Sequence, residues 1–189
     1  MITLDGQKIP VTKCFKYLGS IIQKDGEING DVNHMIKAGW LKWRSASGVL
    51  CNWNLPLRLK GKFYKTTVGP TLLYGTKCWA NKKQHIQKMC VAEIRMLRWM
   101  CGKTMKYKVR NEDICRQVGI APIEDKLREN RLRWFGHIKR KSRDALVTRM
   151  KKIDIAQGKK LRRDKKMTWM EMIKKWYEII RTWRGDDGW

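Results

Sequence analysis

Residues 57–102 constrain the fold more than any other stretch, because two apolar helical patterns run through them with one short polar break. Leu57, Gly61, Tyr64, Val68, Leu72, Gly75 and Trp79 recur every three or four residues. That spacing puts them on one helix face, and Pro70 predicts a kink in it. After the polar residues 81–85, Ile86, Cys90, Ile94, Leu97 and Cys101 repeat the pattern, with Lys88, Arg95 and Arg98 on the remaining arc. Two such helices are expected to bury their stripes against each other as a hairpin.

The flanking segments are read from the same signals. Residues 2–22 predict a small antiparallel β element: AspGly at 5 and 6 marks a tight turn, Pro10 an edge, and residues 14–22 a strand in which Gly19 permits a bulge. From Asp31 onward Val32, Ile36, Trp40, Trp43, Ser47 and Leu50 hold helical spacing, with Asn29 or Asp31 as the cap. Residues 103–110 are a basic connector. Asn111 is expected to cap a short helix that ends at Gly119, and Pro122 opens a further helix carrying Ile123, Leu127, Trp134 and Ile138 on one face. Residues 139–166 hold thirteen Lys or Arg and few large apolar residues, which predicts a solvated or ligand-ordered linker. Thr168 and Glu171 then make a capping-box pattern ahead of Trp169, Ile173, Trp176, Ile180 and Trp183, the stripe of a last amphipathic helix.

Charge decides which partners come first. The 43 Lys and Arg outnumber the 17 Asp and Glu, a net charge of +26 that attracts polyanions, and nucleic acid above all. No run approaches the ~20 apolar residues of a membrane span. There is no signal-peptide pattern, so an intracellular protein of nucleus or cytoplasm is expected. The six cysteines are not in Cys-x-x-Cys spacing and His34, His85 and His137 lie far apart, so reduced, mostly buried thiols are expected and no metal site.

Catalytic signals are thin. GlyAspAsp at 185–187 has the composition of a metal-binding polymerase turn, but it follows a helix instead of joining two apolar strands. A short helix, Gly turn and second helix around Gly119 have the outline of a DNA-reading motif, yet the second helix needs its apolar face for packing. What remains is basic residues interleaved with aromatics, at residues 40–44, 97–100, 131–140 and 174–177. The rings are assigned mainly to the core and the phosphate contacts to neighbouring cations. The candidates are Lys42, Arg44, Lys60, Lys62, Lys65, Arg95, Arg98, Arg131, Arg133, His137, Lys139 and Arg140, joined by Lys159, Lys160, Arg162 and Arg163 in the basic linker.

PheLysTyrLeuGlySerIleIle at 15–22, AlaGlyTrpLeuLysTrpArg at 38–44, LeuLysGlyLysPheTyr at 59–64, ProThrLeuLeuTyrGly at 70–75, LeuArgTrpMetCysGly at 97–102 and ArgLeuArgTrpPheGlyHis at 131–137 resemble, in order, the C-terminal part of the LINE-type (non-LTR) retrotransposon reverse transcriptase polyprotein. The resemblance implies a primer-grip-like element at Phe15, Lys16, Tyr17, Leu18 and Gly19 and a helical thumb that holds template and primer. It divides the chain into a β element at 1–30, a thumb-like domain at 31–102, a helical C-terminal region at 103–140, the basic linker at 141–166, and an amphipathic helix and tail at 167–189. The overall expectation is a mainly α protein with a small β element in front. The aspartate box of the family's palm has no counterpart here, so its magnesium belongs to the missing palm and the chain is expected to bind RNA and DNA without catalysis. Gly69 stands where the family commonly has Arg. Two rivals follow from the same resemblance: polymerase activity completed by a palm on another chain, and an inert remnant of a decayed element.

Overall fold

The computed structural model describes residues 3–4, 7–8, 12–79, 82–142 and 173. It is mainly helical, with short β hairpins in front. Strands β1 (Thr3–Leu4) and β2 (Gln7–Lys8) pair antiparallel, as do β3 (Cys14–Tyr17) and β4 (Ser20–Gln23), the latter with Phe15 opposite Ile22 and Tyr17 opposite Ser20. The expected single strand over 14–22 is thus a hairpin that reverses at Leu18 and Gly19, where φ is +46° and +86°. Glycine adopts that backbone freely, and Leu18 is held in it by Tyr74, whose hydroxyl donates to the Leu18 carbonyl at 2.7 Å.

Helix α1 (Asn29–Ser45) is followed by α2 (Ser47–Leu50), α3 (Leu57–Thr67) and α4 (Gly69–Leu72). Neither Asn29 nor Asp31 caps α1. Asp31 instead fastens the hairpin to the helix, accepting from Ser20 Oγ at 2.9 Å and from the Ile21 N–H at 3.0 Å. The segment expected as one kinked helix over 57–79 breaks twice. Pro70 starts a new turn after α3, and Gly75, at φ +70°, leads into a 3-10 turn at Thr76–Cys78.

Helix α5 (Lys83–Met100) is the central element, packing against α1, α6 (Asn111–Val118) and α7 (Ile123–Lys139). Its buried side is His85, Met89, Ala92, Glu93, Met96, Leu97, Arg98 and Met100, with Ile86, Cys90, Ile94 and Cys101 only partly buried at its edge. The buried face is turned from the expected stripe because it includes three polar residues whose partners lie on other elements. Helix α3 packs mainly on α4 and α6 and meets α5 through Tyr64 and Met96, so the expected two-helix hairpin is opened into a bundle. One cluster joins Val32, Trp43, Leu50, Tyr64, Leu72, Met96, Ile114 and Leu127.

The α6–α7 corner follows its punctuation. Gly119, at φ +73°, closes α6, and the Ile120 N–H reaches the Cys115 carbonyl at 2.9 Å. Asn111 begins α6 without a side-chain cap. On α7 the buried positions are Ile123, Leu127, Arg131 and Ile138, with Trp134 half-buried. The expected basic linker beyond Ser142 and the expected last amphipathic helix lie outside the described residues, except for Ile173, which is helical and buried.

Two outcomes follow from this packing. A Cβ at Gly61 would meet the Val118 backbone carbonyl, so Gly61→Ala lowers stability by about 1–3 kcal/mol in urea unfolding despite alanine's better helix propensity; a gain would contradict the close α3–α6 approach. Burial pushes the Glu93 carboxyl up from 4.5 to about 7, so the folded state binds more protons than the unfolded state between those values. Its contribution is fully present below pH 4.5 and lost as pH rises to about 7, a fall of about 3 kcal/mol. Glu93→Gln flattens that part of the stability profile, and an unchanged profile would contradict the assignment.

Candidate nucleic-acid interface

Helix α1 carries Lys37, Trp40, Leu41 and Arg44 at spacings of three, one and three residues, so they share its outer face. Helix α5 carries Lys88, Arg95 and Trp99 alongside. Lys37, Trp40, Leu41, Trp43, Arg44 and Trp99 line a cavity of about 720 Å³ between the helices. A smaller one, of about 290 Å³, runs from Trp40 to Lys88 and Arg95, and a third, of about 420 Å³, joins Arg95 and Trp99 to Lys103. Shared residues make these one groove with cations along both sides.

The aromatic residues divide sharply within it. Trp43 is buried and meets Trp40 edge-to-face, with ring centres 5.7 Å apart. Trp99 stands 69 % exposed and Leu41 66 % exposed. The core assignment expected of the tryptophans therefore fails for Trp99. Trp53, in the turn before α3, is 88 % exposed. Trp99 lies where the helical spacing of its neighbours turns it from the core.

The predicted cations also divide. Lys42, Arg44, Lys62, Lys65, Arg95, Arg133, His137, Lys139 and Arg140 are exposed. Arg133 is held by Glu129 at 2.7 Å, Lys139 lies over the Phe135 ring at 5.3 Å, and His137 stacks on Trp134 at 5.5 Å. Lys60, Arg98 and Arg131 are buried and are corrected from phosphate contacts to interior anchors. Lys60 Nζ donates to the Met100 carbonyl at 3.3 Å; Arg98 Nη2 donates to the Val109 carbonyl at 2.7 Å and to Asn111 Oδ1 at 2.9 Å; Arg131 Nε donates to the Thr76 carbonyl at 3.4 Å. Burial lowers the Arg131 guanidinium to about 10. Lys159, Lys160, Arg162 and Arg163 lie outside the described residues, as do Asp186 and Asp187.

The primer-grip-like residues form an exposed surface: Phe15, Lys16, Tyr17 and Leu18 face solvent, Gly19 is half-buried, and the Phe15 and Tyr17 rings stack at 6.3 Å. Lys37 and Lys88, absent from the sequence candidates, complete the groove. Their signal was helical spacing to Trp40 and Arg95.

The remaining polar chemistry is structural. His85 accepts the Lys82 N–H at Nδ1 over 3.2 Å, and its Nε2 lies 2.9 Å from Asn29 Oδ1, the pattern of a neutral ring. Burial, then Lys82 and Lys88, hold its pKa below the usual histidine value. Among the described residues no group of three or more His, Cys, Asp or Glu side chains comes together as metal ligands, and no helix is long and apolar enough to cross a membrane. The thiols are less buried than expected: Cys14, Cys51 and Cys78 are exposed, while burial pushes Cys90 and Cys115 up to about 11.

Comparison of the chain with protein-family models, with curated proteins and with solved structures finds no match.

The division of the cations has a direct consequence for stability. Arg98→Ala leaves a buried carbonyl without its donor and lowers stability by about 1–3 kcal/mol, whereas Arg95→Ala, on the exposed side of the same helix, stays within about 0.5 kcal/mol of the parent. Denaturant melts of the two variants check this, and equal losses would mean that the two arginines are not separated as described.

Proposed function

We propose that this chain binds nucleic acid chiefly through its phosphates, in the manner of the thumb and C-terminal region of a LINE-type reverse transcriptase, and does no polymerisation by itself. The observation that carries the reading is the α1–α5 groove, where Lys37, Arg44 and Arg95 surround the exposed Trp99 and Leu41. Cations on a groove track a phosphate backbone, and an exposed indole among them offers a face for a base. The net charge of +26 supplies the long-range attraction. The ordered resemblance of residues 15–137 to the retrotransposon family supports a template–primer partner, and the exposed hairpin at Phe15, Tyr17 and Leu18 is consistent with an element that serves primer placement beside a palm.

Binding governed by phosphates has a measurable signature. If about six to ten phosphates are neutralised, affinity for RNA or DNA oligonucleotides falls by roughly 10³–10⁵ between about 50 and 200 mM salt. Replacing Lys37, Arg44 and Arg95 together with Gln lowers the slope of log affinity against log salt by about 2–3 and weakens all sequences alike. Replacing Lys159, Lys160, Arg162 and Arg163 with Gln acts in the same direction. Anisotropy titrations at several salt concentrations check both variants. An unchanged slope in the groove variant, or a preference of several kcal/mol for one sequence at fixed salt, would contradict the proposal.

A further inference from the structure

A second cavity, separate from the groove, lies where α3, the Gly69–Leu72 turn, α5 and α7 meet. It measures about 680 Å³, within the range that holds a nucleotide-sized ligand. Its apolar lining comes from Pro70, Leu73, Ile120 and Ile123, and the cations Lys65 and Lys77 also line it, with Lys126, whose Nζ is paired with Glu129 Oε2 at 2.7 Å. Glu93 is in the lining although it is only 7 % exposed. Its Oε2 takes the Ile123 N–H at 2.8 Å, and no other hydrogen bond to its carboxyl is formed among the described residues. Tyr64, also in the lining and 2 % exposed, has its hydroxyl against Met96 Sδ at 3.9 Å, a weak acceptor.

These groups define a ligand. A desolvated carboxylate with spare acceptor capacity is best met by two adjacent N–H donors, the geometry that also pairs carboxylate with guanidinium. The apolar walls suit a flat ring, and Lys65 and Lys77 suit an attached phosphate. Guanine is the common nucleobase whose pairing edge presents a ring N–H beside an exocyclic amine; adenine presents one amine beside an acceptor. We propose that this cavity binds a guanine nucleotide, with Glu93 accepting from the base edge and Lys65 and Lys77 holding the phosphate. The same chemistry is offered by a free nucleotide and by an unstacked guanosine in a nucleic-acid strand. The site uses none of the groove residues, so it stands or falls independently of the groove.

The test is calorimetric titration of the full chain with guanosine, inosine and adenosine monophosphates. Inosine monophosphate lacks only the exocyclic amine. The expected result is binding of the guanine nucleotide, weaker binding of the inosine nucleotide by about tenfold or more, and still weaker binding of the adenine nucleotide. Glu93→Gln, which keeps an oxygen for the Ile123 N–H, removes the discrimination between guanine and inosine. Lys65→Ala, at an exposed position, weakens the nucleotide and leaves the affinity for guanosine without phosphate unchanged. A single-stranded thymidine oligonucleotide with one central guanosine, compared with the same strand carrying inosine, separates the sources: a preference for guanosine assigns the strand, and its absence alongside binding of the monophosphate assigns the free nucleotide. Equal affinity for all three monophosphates, discrimination that survives Glu93→Gln, or no binding of guanosine monophosphate at millimolar concentration overturns the proposal.

Discussion

Backbone groups left over at helix ends must find partners when the ends are buried, and the bundle depends on how this chain meets that requirement. The last carbonyls of α5 and the first N–H groups of α7 have no intrahelical partner. Lys60 reaches across from α3 to the Met100 carbonyl, and Glu93 reaches from α5 to the Ile123 N–H. Arg98 bridges to the Val109 carbonyl ahead of α6, and Arg131 reaches the Thr76 carbonyl in the 3-10 turn. Four long charged side chains therefore hold the corners at which five helical elements meet. Burying them costs desolvation, which raises Glu93 and lowers Arg131, and the hydrogen bonds to the backbone offset that cost.

The same arrangement sorts the cations into two populations. Those directed to the corners stabilise the fold, their charged groups tied to backbone carbonyls. Those on the outer faces of α1 and α5 are left facing one groove, with Trp99 between them because the inner side of α5 is filled by Met89, Met96 and Met100. The groove is thus a by-product of how α5 is oriented. A rotation of α5 by one residue would bury Trp99's neighbours and change which arginine faces outward, so the interface and the core are set by the same choice of face.

Much of the architecture was legible in local pattern. Helical spacing located α1, α3, α5 and α7, and Gly119 and Pro122 marked the α6–α7 corner; Pro70 marked a kink where the helix in fact ends. What was not legible depended on partners distant in the chain. Leu18 adopts a positive φ under Tyr74, 56 residues away, so residues 14–22 looked like one strand. The roles of His85 and Glu93 were not legible, since nothing near them in sequence reveals Asn29 or Ile123. Lys60, Arg98 and Arg131 looked like phosphate ligands because a strongly basic chain makes every cation look available. Exposure of Trp99 was missed for the opposite reason, since an apolar ring among apolar helical positions is ordinarily core.

The central claim is that the outer faces of α1 and α5 together receive the nucleic acid while the buried cations do not. Acetylation of lysines followed by mass spectrometry, with and without a saturating single-stranded oligonucleotide, tests it most directly. The account predicts that Lys37 and Lys88 react in the free protein and lose that reactivity in the complex, while Lys60 is unreactive in both. Lys37 and Lys88 remaining reactive in a saturated complex would contradict the groove as the binding surface, and ready acetylation of Lys60 in the folded protein would contradict its place in the core.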